Sequence, residues 1–239
     1  MTRLRTCVAT VSVMAAALLG SPSAAWAATD SSAPAPRAAR AVTADEGIPG
    51  LGAGTRALVP AGSRQVIVVT GASADSDRSA LSLYEHGASG WTRTAGPWPA
   101  HNGLAGWTHS HRLNDLRSPS GVYGLTDAGG WLPDPGTSLP YDASSSFRTD
   151  RSFAGKSMRD SFGYVIAVNY NRRPGTSPLD NTKPLGTAKG GGIWLHVDAG
   201  APTQGCVSVT ADHMRDLLRR LDPADHPVVA MGTEADLAR

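Results

Sequence analysis

"GGGIWLHVDAGAPTQGCVSV", residues 190–209, sets two short extended runs on either side of a turn and places one histidine and one cysteine in them. In "GIWLHVD" (192–198) a two-residue alternation sends Ile193, Leu195 and Val197 to one face and Trp194 and His196 to the other. The apolar face goes to a core, which leaves His196 on the face that can be accessible. After the turn "AGAPTQG", the run "CVSV" repeats the pattern, with Val207 and Val209 on one side and Cys206 and Ser208 on the other. Side by side, these runs bring an imidazole and a thiol together on the non-core face.

The same punctuation continues along the chain. "RQVIVVTG" (64–71), "ALSLYEHG" (80–87), "GYVIAVNYN" (163–171) and "HPVVAMG" (226–232) carry branched or aromatic residues between breakers and are predicted strands. One helix stands against them, over 210–221: Thr210 can cap "ADHMRDLLRRL", in which Met214, Leu217, Leu218 and Leu221 recur at helical spacing before Asp222-Pro223 stops it. The expected fold is mostly β, a sandwich or barrel with at least one packed helix. The stretch 96–147, with "SPSGVYGL" and "WLPDPGTSLPYD" as landmarks, is read as a long loop-rich insertion of the kind that carries binding function.

The N-terminus bears on compartment. Arg3 and Arg5 precede an apolar run from Val8 to Leu19 and a small-residue stretch ending Ala25-Trp26-Ala27, the order of a secretory signal peptide over 1–27. The run is short of the roughly 20 apolar residues that a membrane span needs. Residues 28–47, rich in Ala, Ser, Pro and charge, are an expected disordered tether, and 48–239 an expected single domain. Of the two cysteines, Cys7 falls in the leader, so Cys206 alone would remain in an exported chain. A solitary thiol in an oxidising compartment reads either as an inert buried hydrophobe or as a functional group. The net charge of +2, with no basic stripe among aromatics, argues against a nucleic-acid partner.

A free thiol is only slightly ionised at neutral pH, so a cysteine nucleophile needs a base beside it, and His196 can serve. Gly205 leaves room for a substrate carbonyl to approach backbone donors. At these residues the chain resembles the YkuD-type L,D-transpeptidases. Their signature is a histidine on a strand, a short loop, then Ser/Thr-x-Gly-Cys and an apolar residue, matched by His196, Thr203, Gly205, Cys206 and Val207. "SPSGVYGL" is similar to a second family segment through Pro119, Gly121 and Tyr123.

The resemblance implies a mainly β catalytic domain of a secreted, bacterial cell-envelope enzyme acting on peptidoglycan stem peptides without metal or organic cofactor. Cys206 would form a thioester with a tetrapeptide stem, release the terminal D-alanine and pass the acyl group to an acceptor amine. His196 would be general base and acid, and Gly205 and Cys206 would give backbone donors to the oxyanion. Thr203, Gln204, Ser208 and Tyr123 are candidate substrate-positioning residues, and Asp198 a candidate for orienting the pair. Many family members have histidine before the Gly-Cys pair and arginine two residues after the cysteine, where this chain has Gln204 and Ser208. Lys189 or Arg215 are candidate replacements for that arginine.

Three rival readings arise. "HSH" at 109–111 suggests a zinc amidase or carboxypeptidase, but no carboxylate and third histidine follow at a recognisable spacing. A non-catalytic wall-binding relative would use exposed tryptophans in "GWTHSH" and "GPWPA" yet leaves Cys206 unexplained. An L,D-carboxypeptidase would share the thioester and pass the acyl group to water.

Overall fold

The computed structural model describes residues 47–239, built on thirteen strands and three short α-helices. The leader expected at 1–27 and the tether expected at 28–47 lie outside the described residues, Gly47 excepted. Strands β1 (Gln65–Gly71), β2 (Arg78–Gly87) and β3 (Gly90–His101) pair antiparallel in sequence. β4 (Trp107–Thr108) and β5 (Ser118–Pro119) form a small parallel pair, followed by β6 (Gly121–Gly130) and β7 (Tyr141–Ala143). β8 (Ser152–Phe153) and β9 (Lys156–Ser157) make a minor antiparallel pair. β10 (Val165–Val168), β11 (Trp194–Val197), β12 (Val207–Val209) and β13 (Val228–Thr233) complete the set.

The main sheet runs β10-β11-β12-β3-β2-β1-β13-β6-β7, and an additional β10–β6 pairing closes it into a barrel with β7 attached. The expected mostly β fold is therefore what the chain adopts. Closure hides sheet edges that would otherwise expose unpaired backbone groups.

β1 and β13 are parallel neighbours, with Val66 opposite Val228 and Val69 opposite Met231. Their unbroken apolar sequences follow from burial on both faces. Ile67, Val69, Val229 and Met231 point into the main core, while Val66, Val68, Val228 and Ala230 face a second cluster with Ile48, Leu51 and Leu237. That second cluster is covered by α1 (Ala53–Leu58) and α3 (Glu234–Leu237).

The helix expected at 210–221 is α2 (Ala211–Arg220), its cap being the Thr210 hydroxyl, which accepts from His213 N at 3.3 Å. Met214, Leu217, Leu218 and Leu221 are buried in the main core. Each such side chain contributes about 1.5–3 kcal/mol relative to exposure, so this apolar stripe fixes the helix against the barrel end that holds β11 and β12.

The loop-rich reading of 96–147 is corrected. Residues 96–101 finish β3, and 121–130 form β6, which pairs with β13, β10 and β7. Both strands carry breakers. Pro97 and Pro99 are tolerated in β3 because β12 meets that strand only at His101, so their missing N–H groups fall where no second ladder runs. In β6 the glycines answer crowding: a Cβ at Gly129 would stand 2.7 Å from the Asp142 carbonyl oxygen.

Candidate active site

β11 and β12 lie side by side in parallel, with Leu195 opposite Val207 and His196 opposite Ser208. The loop between them is tied to the segment after β3: Thr203 N donates to Asn102 O at 2.9 Å, and Leu104 N to Thr203 O at 2.9 Å. Within the loop, Thr203 Oγ1 donates to the Cys206 carbonyl at 2.6 Å and accepts from Gly205 N at 3.1 Å. Ser118 Oγ adds a second bond to the same carbonyl at 3.2 Å. These contacts fix the backbone that presents Cys206 at the start of β12.

Cys206 and His196 line one cavity of about 370 Å³. Phe153, Met158, Phe162, Ile193 and Trp194 form its apolar wall, and Asn114, Asn181 and Gln204 supply neutral amides. Sγ accepts from Trp194 N at 3.4 Å and donates to Gly192 O at 3.5 Å. Among the described residues no hydrogen bond joins Sγ to the imidazole. His196 is buried, 4% exposed, where the alternation had placed it on an accessible face. The face is right, but the loops roof it, and Phe162 packs edge-on against the ring at 5.3 Å. His196 Nδ1 donates to the Val197 carbonyl at 2.9 Å, which leaves Nε2 as the acceptor.

Burial pushes the Cys206 thiol up to about 11, only partly opposed by the Trp194 N–H. Burial also lowers the His196 imidazole, against the Val197 carbonyl and the Asp198 carboxylate. Both displacements favour the neutral thiol and neutral imidazole over the ion pair. The resting site is thus set for proton transfer during attack, with no standing thiolate.

The other expected site residues divide. Thr203 and Gln204 line the cavity; Ser208 and Tyr123 do not. Ser208, 1% exposed, donates to Asp198 Oδ1 at 3.2 Å, and the same oxygen stands 3.0 Å from His101 Nδ1. Tyr123 donates to the Ser120 carbonyl at 3.1 Å, and burial raises its phenol. The Gly205 N–H expected at an oxyanion is already given to Thr203 Oγ1. Neither Lys189 nor Arg215 reaches the cavity wall, and Arg215 pairs with Asp212 on α2.

The two histidines of "HSH" part company. His109 Nε2 meets Asp236 Oδ1 at 2.7 Å, whereas His111 turns into the cavity. No cluster of three or more metal-binding side chains occurs among the described residues. His111 was outside the sequence-derived site because the contact that brings it there joins 111 to 190 and 205, a relation without local signal.

A family model described as YkuD, L,D-transpeptidase catalytic domain, matches residues 68–230. The solved structure of the helical cell shape determining protein Pgp2 from Campylobacter jejuni is similar at 15% identity and a TM-score of 0.37, over 71% of this chain and 48% of that one. The chain thus spans about half the length of that relative. Among curated proteins none matches.

Proposed function

The chain belongs to the L,D-transpeptidase catalytic-domain family, and on that premise we propose that it is an exported peptidoglycan L,D-transpeptidase with Cys206 as nucleophile. The observation that carries this reading is that Cys206 and His196 line one cavity, the histidine on β11 and the cysteine immediately before its parallel neighbour β12. Sγ attacks the amide carbonyl after the third residue of a tetrapeptide stem while its proton passes to His196 Nε2. The tetrahedral adduct collapses, the C–N bond breaks, and His196 returns the proton to the departing D-alanine amine. An acceptor amine then attacks the thioester and expels the sulfur.

Backbone around Thr203, Gly205 and Cys206 supports this chemistry by rigidity, since a nucleophile displaced by an ångström loses much of its advantage. The N-terminal leader and tether agree with an envelope address, and no helix of the described residues is long and apolar enough to cross a membrane. The test is release of D-alanine from a tetrapeptide stem, with a new peptide bond to an added stem amine. Cys206→Ala should abolish both products. D-alanine release without any cross-linked product in the presence of acceptor would favour the carboxypeptidase reading, and no turnover by a folded protein the wall-binding one.

A further inference from the structure

The transfer half of that reaction has a proton to dispose of. An acceptor amine of lysine type reaches the site at neutral pH as an ammonium. To become an amide nitrogen it sheds two protons, and the departing thiolate takes back only one. His196, with Nδ1 committed to a backbone carbonyl, can shuttle the proton that returns to Sγ.

A second imidazole lines the same cavity. His111 is 5% exposed, and its ring fills the space that side chains at Gly190 and Gly205 would need: a Cβ at Gly190 would stand 2.7 Å from Nε2, and one at Gly205 3.5 Å from Cε1. Asp115 Oδ1 stands 2.9 Å from Nδ1, at ion-pair distance but off the line of a hydrogen bond, so that the buried Nδ1 has no partner. Asp115 is itself fixed, since its two oxygens accept from Arg112 N at 2.8 Å and Arg117 N at 2.9 Å. Tyr170 packs edge-on to the ring at 5.3 Å, its hydroxyl donating to the Lys189 carbonyl at 2.8 Å and standing 3.3 Å from the His111 carbonyl. The ring is therefore held in place as a neutral base: burial lowers the imidazole, and the Asp115 carboxylate behind it offsets only part of that cost when the ring takes a proton.

We propose that His111 is a second acid–base residue of this site, taking the first proton of the incoming acceptor ammonium; the inference rests on the thioester reading above. The steps balance. R-NH3+ gives one proton to His111 Nε2, and the free amine attacks the thioester carbonyl. The adduct nitrogen gives its surplus proton to His196, the C–S bond breaks, and His196 protonates the sulfur. His111 then releases the Nε2 proton to solvent through the cavity that it lines, which restores the Nε2 lone pair for the next turnover. Water as acceptor carries no such surplus charge, so His111 acts on transfer and not on hydrolysis.

The experiment follows the fate of the thioester in the full protein, wild type against His111→Gln and Asp115→Asn, by mass spectrometry. Three acceptors compete: a stem amine, water, and hydroxylamine, which is neutral at pH 7. The readout for His111→Gln is the partition of the thioester once it has formed, which hydrolysis continues to discharge. Transfer to the stem amine falls about 100-fold, the scale of a lost proton-transfer group, and capture by hydroxylamine recovers. Asp115→Asn should fall between. Equal partition in variant and wild type, or equal loss of both amines, would overturn the role of His111 while leaving Cys206 chemistry standing. A wild-type protein that forms no thioester would overturn the functional reading and this one together.

Discussion

The Thr203 hydroxyl binds both sides of the peptide it faces, donating to the Cys206 carbonyl at 2.6 Å and accepting from Gly205 N–H at 3.1 Å. Thr203 is 6% exposed, so water cannot replace either bond. Thr203→Val keeps the shape, leaves the Gly205 N–H without its acceptor and leaves the Cys206 carbonyl with Ser118 Oγ alone. It should cost about 1–3 kcal/mol in denaturant unfolding and slow acylation of Cys206, while Thr203→Ser should retain most of both.

The raised thiol makes a second prediction. An ordinary cysteine reaches full reactivity toward iodoacetamide a little above pH 8.5. Cys206, held protonated up to about pH 11 by burial, should react slowly at pH 7 and still be accelerating at pH 10. A plateau below pH 9 in the alkylation profile would contradict the neutral resting pair.

Asp127 and Arg172 form a buried ion pair, Nη1 to Oδ2 at 2.8 Å with both side chains 4% exposed. Asp127 Oδ2 also accepts from Gly175 N at 2.9 Å, which ties β6 to the loop after β10. Removing one partner leaves a buried charge uncompensated. Asp127→Asn should therefore lose about 3–5 kcal/mol in urea melts, with far less lost when Arg172→Met is added.

The first strand and α2 were legible because their residues answer to local rules: "VIVV" is continuous apolar sequence in a strand covered on both faces, and Met214, Leu217 and Leu218 keep a helical period. β3 and β6 were not, since Pro97, Pro99 and the four glycines of "GVYGLTDAGG" read as turn signals until the pairing partners are known. At the site, the alternation in β11 and β12 set His196 and Cys206 on one face, yet assigned Ser208 to the substrate. Ser208, one step further along that face and opposite His196, is buried and its hydroxyl is taken up by Asp198, whose Oδ1 also meets His101. The sequence offers His111 only as half of a metal motif, because its proximity to Gly190 and Gly205 depends on tertiary packing alone.

Asp236 gives a pH signature elsewhere in the fold. Burial raises its carboxyl, but hydrogen bonds from His109, Thr233 and Ser120 outweigh that and bring it down to about 2. A depressed carboxyl stabilises the folded state above its unfolded value near 3.9, and that contribution fades as pH falls through about 2. Because Asp236 also closes the capping box of α3, Asp236→Asn should destabilise by about 1 kcal/mol at pH 7. Melts repeated as the pH falls through about 2 should show the difference shrinking.

Cys206 acylation is read most directly from the intact mass of the full chain after exposure to a tetrapeptide stem or a carbapenem. One acyl adduct per chain is expected, mapped to Cys206, absent in Cys206→Ala and slowed at least 100-fold in His196→Gln. No adduct on a folded protein, or an adduct whose rate is indifferent to His196→Gln, would contradict that expectation.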